Sequence, residues 1–303
     1  FDAFQDQETR SIFESEAVWR MTLANQFHWD ELTTRDFATL DPETIAVLPI
    51  AATEQHGPHL PVATDSAIAD GMLGVLRQKL PTDLSILVLP RQAIGKSNEH
   101  SFGLGTLTLT SDVLINAWTD IGLCVNKTGI RKLLIINSHG GNNQIMDIVA
   151  RELRVRAAML AVTTQWNRFG IPPGLVNETE RRIGVHAGMV ETSLMLRFRP
   201  DLVRMQNAQD FKSSTLWLEE NFKYLRHNGG HNMGWMIHDL NPEGAVGNAL
   251  AGTAEIGQAI SEHQVAGAIE LLRDMKRFNL KTLATEAGVT AAPNISPIKR
   301  AIA

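Results

Sequence analysis

The chain has a single cysteine, Cys124, among 303 residues, so no internal disulfide can form. Cys124 lies in an apolar helical stretch and is expected to be a buried small hydrophobe rather than a catalytic thiol. Basic residues are not in excess: 28 Lys and Arg against 33 Asp and Glu leave a formal net charge of −5. That balance argues against a nucleic-acid partner, which calls for a basic stripe. No apolar run approaches the roughly 18 residues of a membrane span. The opening Phe1-Asp2-Ala3-Phe4 has neither the basic nor the apolar region of a signal peptide. These absences predict a cytoplasmic protein with no membrane or nucleic-acid partner. Internal repeats and linkers are also missing, and Gly103-x-Gly105 is too short for a dinucleotide fingerprint. What remains is ordinary globular material, 44% hydrophobic and 20% charged, with ample length for a large core.

Apolar runs alternate with helical patterns. Helices are expected over 8–24 and 29–40, a strand over 45–51, and a helix over 66–80 capped by Asp65-Ser66 and stopped by Pro81. A strand at 85–90 precedes a Gly-rich loop, then a helix from Ser111 to Lys127 ended by Gly129. A strand over 132–137, a helix over about 142–158 and a strand over 160–165 follow, then helices near 187–198, 211–226 and 252–277. This alternation predicts an α/β fold: a mainly parallel sheet with helices on both faces, in a single three-layer sandwich.

Two polar stretches follow buried-looking strands: Glu54-Gln55-His56-Gly57-Pro58-His59-Leu60-Pro61 closing on Asp65, and Asn137-Ser138-His139-Gly140-Gly141-Asn142. Open α/β sheets bind ligands beyond the carboxyl ends of their strands, and His, Asp and Glu gathered there make a candidate metal site. Glu54 and His56, one residue apart in extended backbone, leave on the same side. An isolated Asp65 would read as a helix cap. Beside Glu54 and His56 it reads as a ligand whose two oxygens can bridge a metal pair. The glycines after His139 let backbone approach a ligand, and Asn142 can cap the next helix. His186 and Glu191, at a loop-to-helix junction, add one more imidazole and one more carboxylate. Histidines 227, 231 and 238 fit no common zinc spacing.

These stretches, with His186-Ala187-Gly188 and Glu191-Thr192-Ser193, resemble the signatures of the creatininase (creatinine amidohydrolase) family. Glu99-His100, Gly105-Thr106 and Gly234-Trp235-Met236 add to the likeness, which covers roughly 40–275. The resemblance implies a metal-dependent hydrolase domain over 41–278, with a helical extension over 1–40 and a C-terminal arm over 279–303. It implies two divalent ions, one on Glu54, Asp65 and His139 and the other on His56, Asp65 and Glu191. A hydroxide between them would attack a C–N amide bond (cyclic amide, lactam or formamide) of a small molecule, with His186 carrying the proton to the leaving nitrogen. It also implies a homo-oligomer, with a hexamer favoured. Rival readings are hydrolysis of a non-amide bond, such as opening of a keto-cyclitol ring, and a metal-stabilised scaffold without catalysis.

The departures from creatininase bear on metal and substrate. Gly140 and Gly141 stand where that enzyme carries an aromatic residue and an extra carboxylate. Losing an oxygen ligand favours Zn2+, with Mn2+ and Fe2+ as alternatives. Trp166 matches one substrate-facing tryptophan, Arg182 replaces the second, and Val185 replaces a glutamate. Trp166, Arg182, His100 and His59 are therefore the candidate substrate contacts, in a pocket expected to take a larger or anionic molecule.

Overall fold

The computed structural model describes residues 26–283. The helix expected over 8–24 and most of the C-terminal arm, 284–303, lie outside the described residues. Four parallel strands form the central sheet in the order β2-β1-β3-β4. Along the chain run β1 (Ile45–Ile50), α1 (Thr64–Lys79), β2 (Ile86–Val88), α2 (Ser111–Lys127), β3 (Lys132–Asn137), α3 (Asn143–Ala157) and β4 (Leu160–Gln165). They are followed by α4 (Glu178–Ile183), α5 (Met189–Phe198), β5 (Asp210–Phe211), α6 (Thr215–Asn221), β6 (Gly247–Asn248) and α7 (Ala254–Arg277). The short β5 and β6 pair antiparallel in a separate ribbon.

Every residue of β1 and β3 is buried, because each face of the sheet is covered. On one face Ile45, Val47, Leu134 and Ile136 meet Met72 and Leu76 of α1, Leu194 of α5 and Ile260 and Leu272 of α7. On the other, Ala46, Leu48, Leu133 and Ile135 meet Trp118 of α2 and Ile145, Val149 and Leu153 of α3. Period-two alternation along the strands thus sorts the residues into two cores. Pro49 is tolerated inside β1 because β2 pairs only as far as Val47↔Val88. The ladder bond its missing N–H would have made has no strand to receive it.

From β1 the chain crosses by α1 to β2 on one side, then returns by α2 to β3 on the other. Strand order therefore reverses between β1 and β3, and a crevice opens at their carboxyl ends. Glu54 and His56 follow β1, and His139 follows β3.

Four local expectations are corrected. The 29–40 helix is instead a 3₁₀ turn at Trp29–Glu31 and one α-turn at Thr34–Phe37, divided by extended Leu32 and Thr33. The helix expected from 66 starts at Thr64, so Asp65 lies inside its first turn rather than at its cap. The helix expected over 211–226 shrinks to α6, because Phe211 pairs with Gly247 and beyond Asn221 the residues Phe222, Tyr224 and Leu225 find no core to enter. Cys124 is exposed, since the buried stripe of α2 runs through Trp118, Gly122 and Val125.

Candidate metal centre

The loop after β1, the first turn of α1, the loop after β3 and the start of α5 deliver their polar side chains to one buried spot. Glu54, His56, Asp65, His139 and His186 are each at most 5% exposed, while the Glu191 side chain keeps 24%. Two ligand sets have their atoms within 4.8 Å of one another: Glu54, Asp65 and His139, and His56, Asp65 and Glu191. A third such set, Glu54, His56 and His186, adjoins them. Asp65 is common to the first two. Its Oδ1 lies 3.5 Å from His56 Nε2 and its Oδ2 3.4 Å from His139 Nδ1. His139 Nδ1 is also 3.1 Å from Glu54 Oε1, and His56 Nε2 is 3.7 Å from Glu191 Oε2.

Backbone groups set which ring nitrogen each histidine presents. His56 Nδ1 donates to the Glu54 carbonyl at 3.0 Å and so turns Nε2 inward. His139 Nε2 donates to the Lys96 carbonyl at 2.8 Å and turns Nδ1 inward. A carbonyl behind a ring nitrogen is the usual support for a ligating imidazole. The 3₁₀ turn at Gly140–Asn142 allows this closeness. A Cβ on Gly141 would lie 2.2 Å from the Lys96 carbonyl and 2.3 Å from Glu99 Oε1. Glu99 fills that room, 3.6 Å from His139 Nε2. Asn142, expected to cap α3, makes no capping bond. Its amide instead donates to the Ala51 carbonyl and accepts from Lys96 N, tying together the loops after β1 and β3.

The electrostatics call for cations. Burial pulls the His139 imidazole down, but Glu54, Asp65 and Glu99 outweigh it and carry it up to about 10. His56 likewise rises to about 9 against burial, through Asp65, Glu191 and Glu54. Burial and the Glu54 charge raise Asp65. Burial, with help from Asp65 and Glu54, takes Glu191 to about 7. Burial pushes Glu54 up too, yet the His139, His100 and His186 imidazoles hold it well below the carboxylate range. Glu54 Oε2, His56 Nε2 and Asp65 Oδ2 are buried without a hydrogen-bond partner, a cost of about 1–3 kcal/mol each unless something binds there. Divalent ions fit this donor set.

The remaining candidates separate. His186 reaches the cluster: Nε2 donates to the Gln55 carbonyl at 2.9 Å, leaving Nδ1 3.7 Å from Glu54 Oε1. Burial, then the charges of His100 and His56, keep it well below 6.5. His100 Nε2 is 3.5 Å from Glu54 Oε1, and burial lowers this ring to about 3. His59 lies one layer back, bonded to Thr192 Oγ1 at 3.0 Å and stacked on Phe211. Trp166 is 4% exposed within the α7-side core. Arg182 stands on the exposed side of α4, forked onto Glu219 at 2.7 and 3.1 Å. His227 binds Thr215, while His231 and His238 edge against Tyr224 and Phe102.

Two residues without a place in the sequence reading matter here. Gln55, between two ligands, bonds to both His100 and Gly244. Glu180 reads as part of a surface charge run but is 5% exposed. Its Oε1 accepts from Met189 N and its Oε2 from Asn248 N, fixing the start of α5 on which Glu191 rides.

The family model described as creatinine amidohydrolase matches residues 30–272. The chain belongs to the creatininase family. A mycofactocin precursor peptide peptidase from Mycolicibacterium smegmatis is 27% identical over 243 residues, 80% of this chain and 88% of that protein. The creatinine amidohydrolase of Pseudomonas putida is 27% identical over 213 residues, 65% of this chain and 79% of that protein. A manganese creatininase structure superposes with a TM-score of 0.65 at 22% identity, covering 84% of this chain and all of that one. The chain is thus a hydrolase of the creatininase family and fold, and carries a His, Asp and Glu cluster that could hold metal.

Proposed function

We propose that this protein is a binuclear metal-dependent amidohydrolase that cleaves a C–N amide bond of a small molecule or short peptide. The observation that carries the reading is the sharing of Asp65 between two buried ligand sets, one oxygen toward each histidine. Glu54, Asp65 and His139 would hold one ion, and His56, Asp65 and Glu191 the other. Each set offers one imidazole and two carboxylates, and Gly140 and Gly141 add no further oxygen ligand, which favours zinc, with manganese and iron as the alternatives. When bound, such ions polarise a carbonyl and bring the pKa of water toward neutrality.

The protein's own groups supply the rest. The Gln55 carbonyl holds the Nε2 proton of His186, so Nδ1 is the atom free to take a proton and pass it to the leaving nitrogen. Burial keeps that ring neutral, with Nδ1 unprotonated. Thr192 and Phe211 clamp His59 beneath the ligand loop. Among the proposed ligands Glu191 keeps the most exposure, and substrate would approach from that side.

Protein loaded with zinc or manganese is expected to hydrolyse at least one member of a panel of lactams, formamides, cyclic ureas and short peptides, and to stop after chelation. No hydrolysis of any amide by fully loaded protein would overturn the proposal. Creatinine itself should be a poor substrate, with kcat/KM below about 10⁴ M⁻¹s⁻¹. Of the aromatic pair only Trp166 is present and it is buried, while the room beside Gly141 is filled by the Glu99 carboxylate rather than an aromatic ring. Arg182 would have to leave Glu219 to meet an anionic group on the true substrate; Arg182→Ala should then raise KM rather than lower kcat.

A further inference from the structure

The geometry points to His100 as a catalytic hydrogen-bond donor, its Nε2–H aimed at the oxygen of the scissile carbonyl, with Gln55 as the residue that fixes its tautomer. This rests on the amidohydrolase reading and adds a residue to its chemistry.

Backbone groups on either side leave the Gln55 amide no freedom to reverse its orientation. Gly57 N–H donates to Oε1 at 3.0 Å, so that atom is the oxygen. The Gly244 carbonyl accepts from Nε2 at 2.9 Å, so that atom is the nitrogen. The second hydrogen on Nε2 points at His100 Nδ1, 2.8 Å away. His100 Nδ1 is therefore an acceptor, and the ring's proton sits on Nε2. The same amide nitrogen lies 3.3 Å from His186 Nε2, but that ring nitrogen already donates to the Gln55 carbonyl. Two glycines make this sandwich possible. A Cβ on Gly103 would come within 2.3 Å of Gln55 Cγ, and one on Gly244, at φ +73°, within 2.4 Å of Oε1.

His100 Nε2–H faces the cluster but is not committed there. Glu54 Oε1 is 3.5 Å away, beyond the usual range of a good hydrogen bond. A nitrogen held protonated by its tautomer has no lone pair for a metal, which sets His100 apart from His56 and His139, whose outward nitrogens carry the backbone bonds and leave the inward ones for a metal. Its ring lies against that of His186, centroids 4.1 Å apart. Both rings aim at the same Glu54 oxygen, His186 with Nδ1 at 3.7 Å. A carbonyl group beside that oxygen would meet a proton acceptor and a fixed donor carried side by side on the two packed rings. As the carbonyl oxygen gains charge, the Nε2–H bond shortens and strengthens, and the proton stays on His100 throughout.

Three variants test this in the zinc-loaded protein: His100→Ala, His100→Gln and Gln55→Glu. Long-range 1H–15N spectra of histidine-labelled protein should show His100 neutral and protonated at Nε2, and Gln55→Glu should move the proton to Nδ1. His100→Ala should keep its zinc, lose roughly 10²–10³-fold in kcat on whichever amide the wild type cleaves, and change KM little. His100→Gln, which keeps an N–H donor, should recover part of that loss. Binding of methylphosphonate, a tetrahedral anion, should weaken in parallel across the same variants. A wild-type His100 protonated at Nδ1, zinc lost from His100→Ala, or phosphonate binding and turnover unchanged in that variant would each overturn the inference. A wild type that cleaves no amide yet shows the Nε2 tautomer and His100-dependent phosphonate binding would instead sink only the amidohydrolase reading.

Discussion

Asp65 divides its oxygens between His56 and His139, so its removal should cost more than that of any neighbour. Asp65→Ala is expected to lose both ions and Glu191→Ala mainly one, measured by elemental analysis after dialysis. Two ions retained in Asp65→Ala would refute the shared ligand. His186→Ala should keep its ions and lose roughly 10²–10⁴-fold in kcat; loss of metal from a folded variant would make it a ligand instead. The ion-free site also has a pH signature. His56 and His139 are raised from 6.5 to about 9 and about 10, and Glu191 from 4.5 to about 7. A group raised on folding stabilises fully below its unfolded value, and that contribution fades as pH climbs through the folded one. Chelated protein should therefore lose Tm as pH rises from about 6.5 to 10. Glu54, shifted downward, changes its contribution only below 4.5, outside this window. Bound cations take the place of those protons, so the loaded protein should show little of the fall, and metal affinity should rise with pH. A flat Tm for the chelated form, followed by differential scanning fluorimetry, would contradict this. The residues meeting at this site were legible in the sequence because each is a polar side chain directly after an apolar strand or at a helix start. Gln55 and Glu180 were not legible: a glutamine between two ligands and a glutamate in a charge run carry no signal until the fold surrounds them.

Among the elements, β3, β4 and α2 end where the sequence predicts, since apolar runs bounded by Lys, Gly or a Ser-Asp start leave little latitude. The errors fall where tertiary pairing decides: Phe211 is drawn into β5 by Gly247, and Asn142 is drawn from capping to bridging. Cys124 misleads because α2 is apolar beyond its buried stripe. Trp118, 1% exposed on that stripe, anchors α2 against β1 and β3, and Trp118→Ala is expected to cost about 3–5 kcal/mol in urea unfolding. Glu180 makes the corresponding test on the other side of the site. Glu180→Ala strips the acceptors from Met189 N and Asn248 N, and should destabilise by about 2–5 kcal/mol while weakening retention of the ion held by Glu191. Unchanged metal content in a destabilised Glu180→Ala would confine its role to folding.

For the whole molecule, the long exposed apolar side chains on the loop after His100 invite assembly. Phe102, Leu104 and Leu107 are 73, 96 and 52% exposed on the loop that follows His100, more apolar surface than a monomer usually leaves in one place. Light scattering at micromolar concentration should give a mass well above that of one chain, and a monomer would rule this out. The order of the ligands along the chain has a different consequence, one for biosynthesis. The clustered side chains are strung from Glu54 to Glu191 across all three crossovers of the sheet, so a growing polypeptide exposes half a cage long before the other half exists. If these side chains are the ligands, an ion arriving at the ribosome would meet Glu54, His56 and Asp65 without His139 or Glu191 and would have nothing to close around it. The choice of metal would then fall to the finished, folded protein and to whatever ions are abundant where it is released.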